Sequence, residues 1–150
     1  MSKFIYRMQN ILNIKYKLED QAKIEFMLAN QTLREEEEKL QNLKNRKSGY
    51  EENVRNLLKN HLEVDRIKEN REAIVRMGEF IAAQTVRVND AKRQVEIKAA
   101  KMTELMQERK AQEKLKEKAF EKFMQDENAK ESKEIDELVS FTYGKKQREE

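Results

Sequence analysis

The chain has no proline, no cysteine, no tryptophan and only three glycines, Gly49, Gly78 and Gly144, in 150 residues. At the average usage of about 5%, seven or eight prolines would be expected. Disordered chains are enriched in Pro and Gly, whereas helix interiors disfavour them by roughly 3 and 1 kcal/mol per residue. The absence therefore excludes a disordered chain and points to continuous helix. Without cysteine there is no disulfide framework and no thiolate chemistry, and a reducing compartment is suitable. With His61 as the single histidine, a His-based metal site or catalytic triad cannot be assembled;.

Long hydrophobic runs are missing as well. None exceeds the four residues of Phe80 to Ala83, far short of the roughly 20 residues that span a bilayer. At the start, Lys3 and Arg7 interrupt any signal-peptide apolar core;. A cytoplasmic protein, with no direct membrane insertion, is expected.

What is present is charge: 41% of residues, against 37% hydrophobic and about 25% charged in a typical domain. So little apolar surface suits an extended helical structure that buries a narrow seam. The 32 basic and 29 acidic residues are interspersed, which describes solvated helix faces and argues against a nucleic-acid surface. Residues 92–122 carry a local basic excess, ten against six. The acidic run Glu35-Glu36-Glu37-Glu38 points around most of a helix circumference, and Glu35 can pair with Lys39 one turn on;. No glycine-rich phosphate loop occurs. Catalysis, metal binding and cofactors are not expected.

Seven-residue series run the length of the chain. One is Ile5, Leu12, Glu19, Phe26, Leu33, Leu40, Lys47, Val54 and His61; its companion is Met8, Lys15, Ala22, Ala29, Glu36, Leu43, Tyr50, Leu57 and Val64. Alternating spacings of four and three make the seam of a left-handed coiled coil. Phe4, Ile11 and Leu18 widen the apolar face at the start. The second half has Ile67, Ile74, Ile81, Val88, Val95 and Met102, with Met77, Ala91, Leu105 and Ala119 on the companion series, interrupted by Gln84, Lys98 and Gln112. Arg109 and Lys116 then fall in core positions before Phe120, Phe123 and Met124. Ile135, Leu138, Val139 and Thr142 form a last amphipathic piece, and Tyr143-Gly144 reads as a helix C-cap before a polar tail, 145–150;. Lys15, Glu36 and Lys47 occupy seam positions at a cost in stability.

The two seams are out of phase by one residue, with the slip between His61 and Asn70. Asp65 and Asn70 can cap a second helix. Two architectures fit: a hairpin with helices at about 3–62 and 70–143 around a turn at 62–70, all one domain over 1–150, or a continuous helix that dimerises across a stutter.

Phe4-Ile5-Tyr6-Arg7-Met8-Gln9-Asn10-Ile11-Leu12-Asn13-Ile14-Lys15, followed by Leu18-Glu19 and Ala22, resembles the opening of the FliJ family of the flagellar type III export apparatus. Glu131-Ser132-Lys133-Glu134-Ile135-Asp136-Glu137-Leu138 is similar to that family's C-terminal signature, and Phe80-Ile81 to its aromatic-Ile pair. The resemblance implies an all-α, long two-helix antiparallel coiled-coil hairpin like the stalk of rotary ATPases. It implies coupling of the flagellar export ATPase ring to the membrane export gate, peripheral to the inner face of the cell membrane. Carried onto this chain, the ATPase-facing surface comprises Phe4, Met8, Ile11, Glu131, Ile135, Asp136 and Leu138. The surface for the cytoplasmic part of the gate protein comprises Tyr50, Phe80 and Ile81, with Met77 where the family has an aromatic. Some family members also escort export chaperones. Two other readings remain: the stalk of a virulence secretion system and a purely structural coiled-coil dimer.

Overall fold

The computed structural model describes residues 2–60 and 63–149. Among these, two helices account for nearly everything: α1, Gln9–Asn60, and α2, Val64–Glu149. No strand occurs among the described residues. The fold class is the expected two-helix antiparallel coiled-coil hairpin.

By packing, the chain divides into two units, one formed by Met1–Glu19 with Leu105–Glu150 and the other by Asp20–Glu104. Each contains a stretch of α1 paired antiparallel to a stretch of α2. In the first, the terminal unit, Phe4 meets Phe120 and Phe123 while Glu19 meets Arg109. In the second, the middle unit, Glu25 meets Lys98 and Glu36 meets Gln84. In both, a later residue on one strand of the pair meets an earlier one on the other.

The heptad series describe what is shielded. From Leu12 to Leu57 every member of both α1 series is buried or half-buried, and the same holds on α2 from Ile67 to Phe123. The most enclosed apolar side chains are Leu12, Ala22, Ile67, Ala73, Met77, Val88 and Ala91. Small residues among them allow close approach of the helix axes, and that narrow stripe is all the core the composition permits.

The helix ends differ from expectation. Residues 2–6 belong to no helix, and α1 begins only at Gln9, after a turn closed by the Gln9 amide donating to the Tyr6 carbonyl at 3.2 Å. Ile5 therefore lies outside the helix and the seam and is exposed. Phe4 packs on α2 from this non-helical segment. At the other join, α2 starts at Val64. The Glu63 carbonyl accepts the first turn's bond from the Ile67 amide at 3.1 Å, and the Glu63 carboxylate pairs with Arg66 at 3.0 Å. Asn70 is inside the helix and caps nothing; its Nδ2 donates back to the Arg66 carbonyl at 2.8 Å. His61 and Leu62 lie outside the described residues. Gly144 does not end α2: the helix passes through it to Glu149 with no positive φ. Lys146 and Arg148 in the last turn complement the helix dipole;.

Candidate partner-binding surfaces

In the terminal unit, within the non-helical segment before α1, Phe4 and Tyr6 are half-buried and Ile5 is exposed. The Phe4 ring stands edge-on to Phe120 with centroids 5.3 Å apart and tilted against Phe123 at 5.4 Å, a geometry worth about 0.5–1.5 kcal/mol per pair beyond burial. The Tyr6 hydroxyl donates to Gln112 Oε1 at 3.5 Å.

Below this aromatic group the seam is polar. Arg109, expected to weaken the core, holds Glu19 through two parallel bonds, Nε to Oε2 at 2.6 Å and Nη2 to Oε1 at 3.1 Å. Glu19 is only 3% exposed. The remaining Arg109 Nη1 donates to Glu113 at 3.1 Å, and Glu113 accepts a short bond from the Tyr16 hydroxyl. Lys15 meets Glu108 at 2.9 Å. The hydrogen bond to Glu113 pushes the Tyr16 hydroxyl pKa up, and the same bond, aided by Arg109, pulls that of the Glu113 carboxyl down. The Arg109 guanidinium is pushed upward, chiefly by its bonds to Glu19.

Beyond the aromatic group, α2 is exposed on every face from 128 to 143. Glu131, Ile135, Leu138 and Thr142 recur on one side at helical spacing. Ile135 and Leu138 are 60% and 65% exposed, and Val139, Phe141 and Tyr143 are also uncovered. Glu131 and Asp136 are exposed beside them, and Met8 and Ile11 present about two-fifths of their surface. Among the described residues before α1, Phe4 packs on α2 through its ring contacts and Tyr6 bonds to Gln112. Ile135 stands about 18 Å further along α2 than Phe123, at 1.5 Å per residue. The N-terminal and C-terminal members of the expected surface thus form two apolar areas.

In the middle unit, Gln84 is buried, and its Nε2 donates to the Glu36 carbonyl at 3.0 Å and to the Glu36 carboxylate. That second bond holds the Glu36 carboxyl below its ordinary pKa, with help from Lys39. Lys39 pairs with Glu36 at 3.3 Å, and Glu35 instead accepts from Gln31 at 3.3 Å. Tyr50 and Ile81 are half-buried seam residues, Met77 is buried, and Phe80 is 52% exposed. Counting from the Glu36–Gln84 level, Tyr50 and Phe80 lie about 15 Å apart along the coil. They lie at different levels of the seam.

An uncovered stripe on α1 belongs to neither heptad series: Ile24, Met27 and Leu28 line a shallow groove with Gln31 and Arg34. Its signal in the sequence is apolar residues at i, i+3 and i+4 on the side away from the seam. Among the described residues, no group of His, Cys, Asp or Glu is arranged to hold a metal, and no helix is long and apolar enough to cross a membrane.

These features define a two-helix coil with a polar clasp near its chain ends and an uncovered apolar helix beyond it. The family model for the flagellar FliJ protein matches residues 3–148. The chain belongs to that family, and so to the stalk and escort proteins of type III export. Among solved structures it is similar to CT670 from Chlamydia trachomatis, described as a homolog of YscO. The TM-score is 0.66 over 99% of this chain and 100% of that one, at 18% identity, a likeness of fold. Comparison with curated protein sequences finds no match.

Proposed function

We propose that this protein couples the flagellar export ATPase ring to the membrane export gate. It acts as a central stalk in the cytoplasm, held peripherally at the inner face of the cell membrane by its partners. Family membership over residues 3–148 supports the setting. The observation that carries the reading is the stretch 128–143, helical yet exposed on every face. A lone helix gains little stability in water without an apolar face packed on something, and exposed apolar surface of this kind marks interaction sites.

The ATPase-facing surface in this reading comprises Met8, Ile11, Glu131, Ile135, Asp136 and Leu138, with Phe4 closing the coil beneath it. The gate-facing surface is centred on Phe80, with Ile81 and Tyr50 contributing from the seam. Escort of export chaperones belongs to the same reading, and any chemistry resides in the partners. Intrachain antiparallel pairing within each unit supports the stalk over a continuous-helix dimer.

The test is binding to each partner separately. Leu138→Asp should reduce capture of the export ATPase and leave capture of the gate protein's cytoplasmic part unchanged; Phe80→Ala should do the reverse. If neither variant changes either interaction, the assignment of surfaces fails.

A further inference from the structure

The α2 seam repeats so regularly that it underdetermines alignment. Ile67, Ile74, Ile81, Val88, Val95 and Met102 recur every seven residues, so along that series sliding α1 by one heptad exchanges one aliphatic contact for another; the companion series adds single polar crossings, Gln84 to Glu36 and Lys98 to Glu25. A seam of this kind is weakly discriminating unless polar residues mark a position.

Glu19 is such a mark. It sits in the seam at 3% exposure, where an ionised carboxylate is tolerated only when paired and hydrogen-bonded. Arg109 supplies a planar fork that matches both carboxylate oxygens, at 2.6 and 3.1 Å;. Its third donor reaches Glu113, which in turn accepts from Tyr16 on α1. The network thus crosses between the helices twice. Slid by a heptad one way, Glu19 would face Met102, which has no donor. Slid the other way, it would face Lys116, whose ammonium is a point charge and cannot reproduce the fork;. Either shift also takes Tyr16 away from Glu113.

We propose that the Glu19–Arg109–Glu113–Tyr16 network is a register lock, whose role is to select one alignment of the helices rather than to add net stability. Buried ion pairs contribute little net stability compared with apolar residues of similar size, while loss of one partner is costly. The selected register decides where Phe4 lands on α2 and how much of α2 stays unpaired. One heptad of slip changes that unpaired length by about 10 Å. This inference goes beyond the functional reading and does not depend on any partner.

The cysteine-free chain makes the test direct. Lys15→Cys is combined with Glu108→Cys to report the observed register, and with Leu115→Cys or Lys101→Cys to report a heptad slip either way. A short thiol-reactive cross-linker is applied in three backgrounds: unchanged, Glu19→Leu with Arg109→Leu, and the swap Glu19→Arg with Arg109→Glu. The unchanged chain should give mainly the 15–108 product. The leucine pair should keep or raise Tm, yet lower the ratio of 15–108 to slipped products by about tenfold, within the range of couplings between contacting residues. The charge swap should recover most of that ratio. An unchanged ratio in the leucine background overturns the proposal. So does a leucine background that fails to fold, because the pair would then be a source of stability and not of alignment.

Discussion

The two units solve the same packing problem with different materials. The middle unit, Asp20–Glu104, closes its seam on Ala73, Met77, Val88 and Ala91, with Gln84 bonded to Glu36 as a polar crossing. The terminal unit, Met1–Glu19 with Leu105–Glu150, encloses Leu12 and then relies on Glu19, Arg109, Lys15 and Glu108, topped by three phenylalanines. Apolar contacts are non-directional, so the first seam supplies cohesion. Bidentate ion pairs are directional, so the second supplies alignment beside the uncovered stretch of α2;.

The largest effect that would sharpen this comparison is at Leu12. Leu12→Ala removes a side chain only 2% exposed and should cost about 2–4 kcal/mol in urea unfolding. Leu138→Ala, on the uncovered stretch, should stay within about 0.5 kcal/mol. Equal losses would mean that 128–143 is covered after all.

Next is the polar seam. Arg109→Ala leaves the buried Glu19 carboxylate without its fork and should lower Tm by more than Gln84→Ala does. The latter is expected to lower Tm by roughly 2–5 °C. The reverse order would place the stronger polar crossing in the middle unit.

The pH dependence separates the units further. Glu113 and Glu36 have lowered pKa values relative to an ordinary 4.5. Each therefore contributes stability that is complete above that value and is lost as pH falls through the lowered one. Tyr16 is raised above 10.0, so its contribution is complete below that pH and is lost as pH rises through the raised value. Tyr16→Phe should remove this alkaline decline and part of the acid one, as read by Tm across pH, while Gln84→Leu should affect only the acid side. An alkaline decline that persists in Tyr16→Phe would break the assignment.

The smallest effects concern glycine. A Cβ at Gly49, Gly78 or Gly144 meets nothing within 4 Å, and none has positive φ. Gly49→Ala and Gly78→Ala, inside paired helix, should each stabilise by roughly 0.5–1 kcal/mol. Gly144→Ala, on the uncovered stretch, should raise local helicity with little change in global unfolding.

Periodicity made the seam legible because burial in a coiled coil follows residue spacing directly; most of the enclosed residues lie on the series read from the sequence, Ala73 being the exception. Alignment was less legible. Glu19 and Arg109 each looked like a flaw in its own series, and 90 positions separate them, so local pattern could not reveal their pairing. Ile5 continued the heptad numerically but precedes α1, which begins at Gln9. Gly144 resembled a stop signal, yet a glycine ends a helix only where the backbone adopts positive φ. The candidate surfaces came from a resemblance, and exposure at Ile135 and Leu138 agrees with surface roles. Tyr50 and Phe80 lie at different levels of the pairing, which is set by long-range contacts such as Gln84 to Glu36 that local pattern does not specify.

The central claim is that the stretch of α2 beyond residue 127 serves binding and not folding. It is tested most directly by comparing the full chain with one ending at Glu134, measuring both Tm and calorimetric affinity for the export ATPase. Tm should be unchanged within about 2 °C and affinity should fall below detection. A fall in Tm with undiminished affinity would contradict the claim.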